Sequence, residues 1–140
     1  MWFRVLLVTL MLSSSAAAQR LSFGVQAALI LNFAQASSLA GLLTVEARGL
    51  TRGLGVRGSA GLSDALELAV DGIYRFDASD YGNLCVGLGL GSSRSVELRG
   101  LVGYEWDIGA RLRICAESLL RMLTSSDLRL SVSLGLVYLL

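Results

Sequence analysis

The 140-residue sequence contains no histidine, no proline and no lysine, and it has only two cysteines. Without histidine, Ser/His and Cys/His nucleophile pairs and histidine-containing metal sites are excluded. Charged residues make up 16% of the chain, whereas soluble domains average about 25%. The net charge of +1 provides no basic surface for nucleic acid. We therefore predict one apolar domain that is not an enzyme, holds no cofactor or metal and binds no nucleic acid.

The first 18 residues have the pattern of a secretory signal peptide. Arg4 provides a positive charge, and Val5–Leu12 form an apolar stretch that is too short to span a membrane. Ala16 and Ala18 have the spacing of a cleavage site. We expect residues 1–18 to be removed and residues 19–140 to form the mature domain. The alternative is that the segment stays attached as a short anchor helix.

From Leu21 onward, apolar and polar residues alternate with a period of two, which is typical of strands with two different faces. Short runs of turn-forming residues separate the alternating segments. Eight strands of about ten residues with tight connections indicate an antiparallel meander. The predicted strands are Leu21–Leu31, Leu39–Leu50, Leu54–Leu62, Leu66–Phe76, Tyr81–Gly91, Ser95–Trp106, Ala110–Leu123 and Leu128–Leu140.

The charged residues of these strands all share one face, and the other face is mostly leucine and valine. The interior of an eight-stranded barrel is only just wide enough to be filled by side chains, so the bulky apolar face does not fit inside. Small residues on the charged face, such as Gly87, Gly89 and Gly91, suit a crowded lumen. The pattern therefore predicts an eight-stranded antiparallel up-and-down transmembrane β-barrel with its apolar face towards lipid.

Aromatic residues provide a second indication of a membrane. In an up-and-down meander, six of them fall on the apolar face at the end of the barrel that holds both termini. Rings with polar edges prefer the membrane interface, so we predict half of an aromatic girdle there. Its members are Phe23, Tyr74, Phe76, Tyr104, Trp106 and Tyr138.

The C-terminal segment "SLGLVYLL" (Ser133–Leu140) resembles the assembly signal of outer-membrane barrels, with Ser133, Gly135, Tyr138 and Leu140 in its characteristic places. Together with the leader and the eight strands, the chain is similar to the small outer-membrane barrels of the OmpA and OmpX type. The resemblance implies export to the outer membrane of a diderm bacterium, with both termini periplasmic. It also implies outer-membrane lipid and the barrel-assembly machinery as partners.

Opposite charges on neighbouring strands are expected to pair inside the barrel, because buried charges need partners. Tight hairpins place Glu46 beside Arg57, and Arg57 beside Asp71. A turn at residues 107–109 is expected to pair Arg99 with Glu117 and Glu105 with Arg111.

This network predicts a salt-bridged plug and a structural or accessory role in the cell envelope. Two alternatives remain open from the sequence. One is a small ion channel, and the other is a secreted soluble barrel that binds an apolar ligand inside.

Cys85 and Cys115 are predicted to face the lumen without forming a disulfide. They lie on the fifth and seventh strands, with Leu101 of the sixth strand between them. Two strand spacings place their Cα atoms about 9 to 10 Å apart, beyond the roughly 7 Å limit for a bridge.

Overall fold

The computed structural model describes residues 20–32, 36–51, 53–124 and 127–140. The predicted signal peptide and Phe33 lie outside these ranges. No helix in the described ranges is long and apolar enough to cross a membrane. The strands are β1 (Arg20–Asn32), β2 (Ser38–Thr51), β3 (Leu54–Leu62), β4 (Leu66–Ser79), β5 (Gly82–Ser92), β6 (Val96–Asp107), β7 (Leu112–Leu123) and β8 (Leu128–Leu139).

The strands form one closed barrel in which each strand pairs antiparallel with the next, and β8 closes the sheet against β1. The predicted number, order and up-and-down topology of the strands are confirmed. Two boundaries differ from the prediction by more than one residue, since β4 continues to Ser79 and β7 begins only at Leu112. Closure pairs both edges of the meander, so no strand edge is left open to another chain.

Because neighbouring strands are antiparallel, the barrel has two distinct ends. The termini rim holds the start of β1, the end of β8 and the ends of the strands joined as β2–β3, β4–β5 and β6–β7. The loop rim holds the ends of the strands joined as β1–β2, β3–β4, β5–β6 and β7–β8. Only two to five residues separate consecutive strands in the sequence, whereas binding surfaces are often formed by longer loops.

Burial alternates along the strands as a barrel with an apolar exterior requires. Leu68, Leu98, Val102 and Leu134 lie on the outside and are each more than half exposed. The charged residues predicted to pair inside the barrel are buried except for Arg111, and Asp71 among them is only 2% exposed. The predicted faces are therefore confirmed for the strands, and Arg111 is the exception.

Glycines make room for the crowded interior and shape one rim. A Cβ at Gly55 would stand 2.5 Å from Oε1 of Glu46 and 3.0 Å from the carbonyl oxygen of Ala47. At the termini rim, Gly49 and Gly53 have φ angles of 74° and 78°, a region that only glycine adopts readily. Gly49 lies where the register between β2 and β3 shifts, so the backbone there bends away from the regular ladder.

The predicted register between β6 and β7 is wrong by four residues. Arg99 lies opposite Arg121 rather than Glu117, and Glu105 lies opposite Cys115 rather than Arg111. The connection covers residues 108–111 instead of a three-residue turn, and it is closed by a hydrogen bond from Ile108 N to Leu112 O of 3.1 Å. Arg111 consequently sits in the turn and is exposed.

Candidate functional site

The lumen is filled by ion pairs that fall into three groups along the barrel. The group nearest the termini rim is built around Glu46 on β2 and Glu105 on β6. Arg48 donates to both carboxylate oxygens of Glu105 at 2.8 and 2.9 Å, and its Nε donates to Ser22 Oγ at 2.9 Å. Arg75 bridges the two acids, donating to Glu46 at 2.7 Å and to Glu105 at 3.1 Å. Such paired, multiply hydrogen-bonded charges are tolerated in a barrel interior.

The central group crosses the barrel from one wall to the other. Nη1 of Arg57 on β3 lies 2.7 and 2.9 Å from the two carboxylate oxygens of Glu117 on β7. Gln26 donates to Glu117 at 3.3 Å, and Ser133 donates to Gln26 at 3.0 Å. Three strands lie between β3 and β7 in either direction around the barrel, so this pair spans the full width of the lumen.

The third group lies towards the loop rim. Nε of Arg99 is 3.1 Å from Oδ1 of Asp71, and Nη1 of Arg121 lies against Glu67. Glu97 lies 3.7 Å from Arg121 and 3.9 Å from Arg99. Because Arg99 and Arg121 are direct cross-strand neighbours, these carboxylates offset the repulsion between two arginines.

Of the network predicted from sequence, six members lie in the lumen and one does not. The register places Glu46 beside Arg57 and Arg57 beside Asp71, as expected. Arg57, however, forms its close ion pair with Glu117 across the barrel. Arg111 is outside the network, and Arg113 takes its place by approaching Glu105 at 3.3 Å.

Six network residues of the described lumen were not singled out as site residues from sequence: Arg48, Glu67, Arg75, Glu97, Arg113 and Arg121. Each occupies the same alternating face of its strand as the predicted members, and this position could have identified it as a lumen residue. Their partners were not accessible from sequence because most pairs join strands that are not neighbours.

Little space is left between the three groups. The cavity enclosed by Arg57, Asp71, Arg99, Glu117 and Arg121 measures about 20 Å³, close to the volume one water molecule requires. Apolar side chains complete the filling in two clusters of the described interior, Ala28–Ile30–Ala40–Leu42 and Ile73–Cys85–Leu101–Leu119. The described lumen therefore holds no apolar chamber for a ligand, which argues against the soluble ligand-binding alternative.

The two cysteines are unbridged and buried. Their cross-strand neighbours on β6 differ from the prediction, because Cys85 lies opposite Gly103 and Cys115 lies opposite Glu105. The two thiols are thus offset along the barrel as well as separated by a strand. Within the described ranges, no group of three or more acidic or cysteine residues is arranged to hold a metal ion.

The predicted aromatic residues gather on the outer surface of the termini rim. Tyr74 packs edge-on against Phe76 with ring centres 4.7 Å apart, and Tyr104 and Trp106 have the same separation. Phe23 of β1 lies opposite Tyr138 of β8. Tyr81, in the turn between β4 and β5, is exposed at this rim as well and was not assigned to the girdle from sequence.

Three of the four residues of the C-terminal pattern lie in β8, the strand that closes the barrel, and Leu140 directly follows it. Ser133 and Gly135 point inward, opposite Ala28 and Gln26 of β1. Tyr138 faces outward, and Leu140 N donates to Leu21 O at 2.9 Å. The structure therefore places two of these residues against the lumen and one at the girdle, with Leu140 just beyond β8.

An outer surface of leucine and valine around a charged, filled lumen defines a transmembrane barrel, because soluble monomers rarely expose a continuous apolar belt. No protein-family model and no curated protein matches the sequence. Solved structures do match its fold.

The chain is similar to the Neisserial surface protein A, with a TM-score of 0.67 and 13% identity over 88% of this chain and 98% of that one. It is also similar to the N-terminal β-barrel domain of Pseudomonas aeruginosa OprF, with a TM-score of 0.62 and 15% identity over 85% and 97% of the two chains. A designed transmembrane β-barrel matches with a TM-score of 0.67 and 14% identity over 85% of this chain and 95% of that one. The protein has the fold of the small outer-membrane barrels, and since designed barrels share it, function has to be argued from the site.

Proposed function

We propose that the protein is an integral outer-membrane barrel with a closed lumen and a structural or accessory role in the envelope. The observation that carries this proposal is the combination of an exposed apolar belt with an interior in which only about 20 Å³ remains between the central charges. The outer surface of such a barrel contacts lipid, and its filled lumen conducts no ions. The absence of histidine from the whole sequence fits a role without catalysis.

The proposed location is the outer membrane, with the termini rim in the periplasm and outer-membrane lipid around the belt. The fold similarity to outer-membrane barrels supports this location. Expression of the full chain in a diderm host, followed by separation of the two membranes on a density gradient, tests it. Recovery in the outer-membrane fraction is expected, and recovery as a soluble periplasmic protein would contradict the proposal.

The closed lumen is tested by electrical recording. Purified protein in a planar lipid bilayer should give no stable single-channel conductance, because the three groups of ion pairs leave no continuous water path. Reproducible open events would instead establish the small-channel alternative. An Arg57→Ala variant makes the test more stringent. It shortens the side chain that reaches across the lumen to Glu117, which makes it the substitution best placed to open a water path through the barrel.

The barrel-assembly machinery is the proposed partner of the C-terminal strand. Leu140→Ser removes the last apolar side chain of the pattern, while Leu128→Ser makes the same change to an exposed leucine at the start of β8. Leu140→Ser should lower assembly in cells more than Leu128→Ser, and both should refold equally well into lipid vesicles without the machinery. Equal assembly of the two variants in cells would count against recognition of this pattern.

A further inference from the structure

The termini rim encloses a second cavity, much larger than the one in the lumen, that none of the roles discussed above uses. It measures about 660 Å³ and opens at the end of the barrel. The charged and polar side chains that line it are Arg20, Arg48, Arg75, Arg113, Asp77 and Asn83. We call it the arginine mouth. Four guanidinium groups from four different strands therefore face one space, with a single acid among the lining residues.

The carboxylates that neutralise these arginines lie beneath them rather than in the mouth. Glu46 and Glu105 are 3% and 2% exposed, and neither lines the cavity. A guanidinium has five N–H donors, and not all of them are used by these acids. Arg113 commits Nη1 to Glu105 and Nε to Asp107, which leaves its Nη2 without a partner among the described residues.

Arg20 is the least satisfied of the four. It lies directly opposite Arg48 in the pairing of β1 with β2, and like charges in that position repel each other. Its guanidinium forms no ion pair with any described residue. An anion shared between Arg20 and Arg48 would offset this repulsion.

The position of the mouth indicates which anion it suits. Two aromatic residues of the girdle, Tyr74 and Phe76, also line it, so it opens at the level where such rings mark the membrane interface. Phosphate groups are the anions concentrated at that level. The planar fork of arginine matches the geometry of phosphate oxygens, and several guanidinium groups suit an anion with several acceptor oxygens.

We propose that the arginine mouth binds a phosphate group, supplied either by a lipid headgroup at the interface or by a free phosphate compound. The chemistry is the same in both cases. Arg20 and Arg113 supply uncommitted donors, while Arg48 and Arg75 supply positive charge held in place by Glu46 and Glu105. Asp77 opposes binding by its charge.

Calorimetric titration of the full chain with inorganic phosphate, in dodecyl maltoside at low ionic strength, tests the proposal. We expect saturable binding that Arg20→Gln weakens by about five-fold, because one charge-assisted partner is lost. Arg94→Gln is the matched control, since Arg94 is an exposed arginine in the turn at the loop rim. It should leave binding unchanged, and Asp77→Asn should strengthen binding.

A second titration in phosphatidylcholine nanodiscs distinguishes the two sources. If lipid headgroups occupy the mouth, inorganic phosphate will no longer bind there, whereas unchanged affinity identifies a site for free phosphate. Absence of saturable binding in maltoside would overturn the proposal. Equal weakening by Arg20→Gln and Arg94→Gln would overturn it too, because it would show only general attraction of counterions to arginine.

Discussion

Replacing Arg57 by methionine would remove the charge that spans the lumen while keeping most of the side-chain volume. Glu117 would then lose both contacts to Nη1 and retain only the 3.3 Å hydrogen bond from Gln26. Its side chain is 7% exposed, so water reaches it poorly. Removing one partner of a buried ion pair costs about 3 to 5 kcal/mol, and we expect Arg57→Met to lower the free energy of unfolding by that amount.

A second substitution separates the loss of charge pairing from other effects. Glu117→Gln in the Arg57→Met background removes the stranded charge and leaves an amide oxygen for Gln26. The double variant should therefore regain more than half of the lost stability, because a buried pair replaced on both sides is often nearly neutral. Arg111→Met is the control, since Arg111 is exposed in the turn, and its cost should stay within about 0.5 kcal/mol.

The assay is equilibrium unfolding in urea from lipid vesicles, followed by tryptophan fluorescence. Trp106 is the only tryptophan in residues 19–140 and lies in the girdle, so its emission reports loss of the membrane-inserted state. In a hydrated lumen the pair would behave as an exposed one, worth about 0 to 1 kcal/mol. A loss below about 1 kcal/mol, with no recovery in the double variant, would refute the closed lumen.

Two further predictions concern the outer face and the cysteines. Val102→Arg places a charge on the apolar outer surface and should lower the free energy of unfolding by about 2 to 4 kcal/mol if the site is near the bilayer midplane. Ile108→Arg, in the exposed turn of the termini rim, is the control and should be close to neutral in the same vesicle assay. Equal costs for the two variants would contradict the assigned faces. Thiol labelling under denaturing, non-reducing conditions should find Cys85 and Cys115 both free, and finding neither would show that the strand register is wrong.

The faces of the strands could be predicted from sequence because they depend only on parity. Side chains alternate with a period of two, so an error of two or four residues in register leaves every side chain on its original face. This is why Asp71, Arg99 and Glu117 were correctly placed inside even though the predicted pairing of β6 with β7 was wrong.

The register itself depends on the length of the turn, which the sequence indicated poorly. The run "DIG" suggested a three-residue turn at 107–109, but the hairpin closes further out, between Asp107 and Arg113. Their ion pair has an Nε to Oδ1 distance of 2.6 Å. The ion pair between Asp107 and Arg113 thus accompanies a connection longer than the three-residue turn that turn propensity alone favoured.

The partners inside the lumen were out of reach for a different reason. Cross-strand rules concern adjacent strands, whereas Arg48 reaches Glu105 from β2 to β6 and Arg57 reaches Glu117 from β3 to β7. In a closed ring of eight strands, both pairs join opposite walls. Such contacts exist only once the ring has closed and its width is set.

These two cross-lumen pairs have a consequence for how the barrel holds together. Backbone hydrogen bonds link each strand only to its two neighbours, so a sheet stabilised by them alone could open at any one seam. The ion pairs Arg48–Glu105 and Arg57–Glu117 connect opposite walls at two levels of the barrel. If two neighbouring strands separated far enough to move those walls apart, both pairs would break and leave buried charges without partners. The charges that close the lumen therefore also couple non-adjacent strands, which gives the ion pairs a structural role that requires no ligand and no flow of ions.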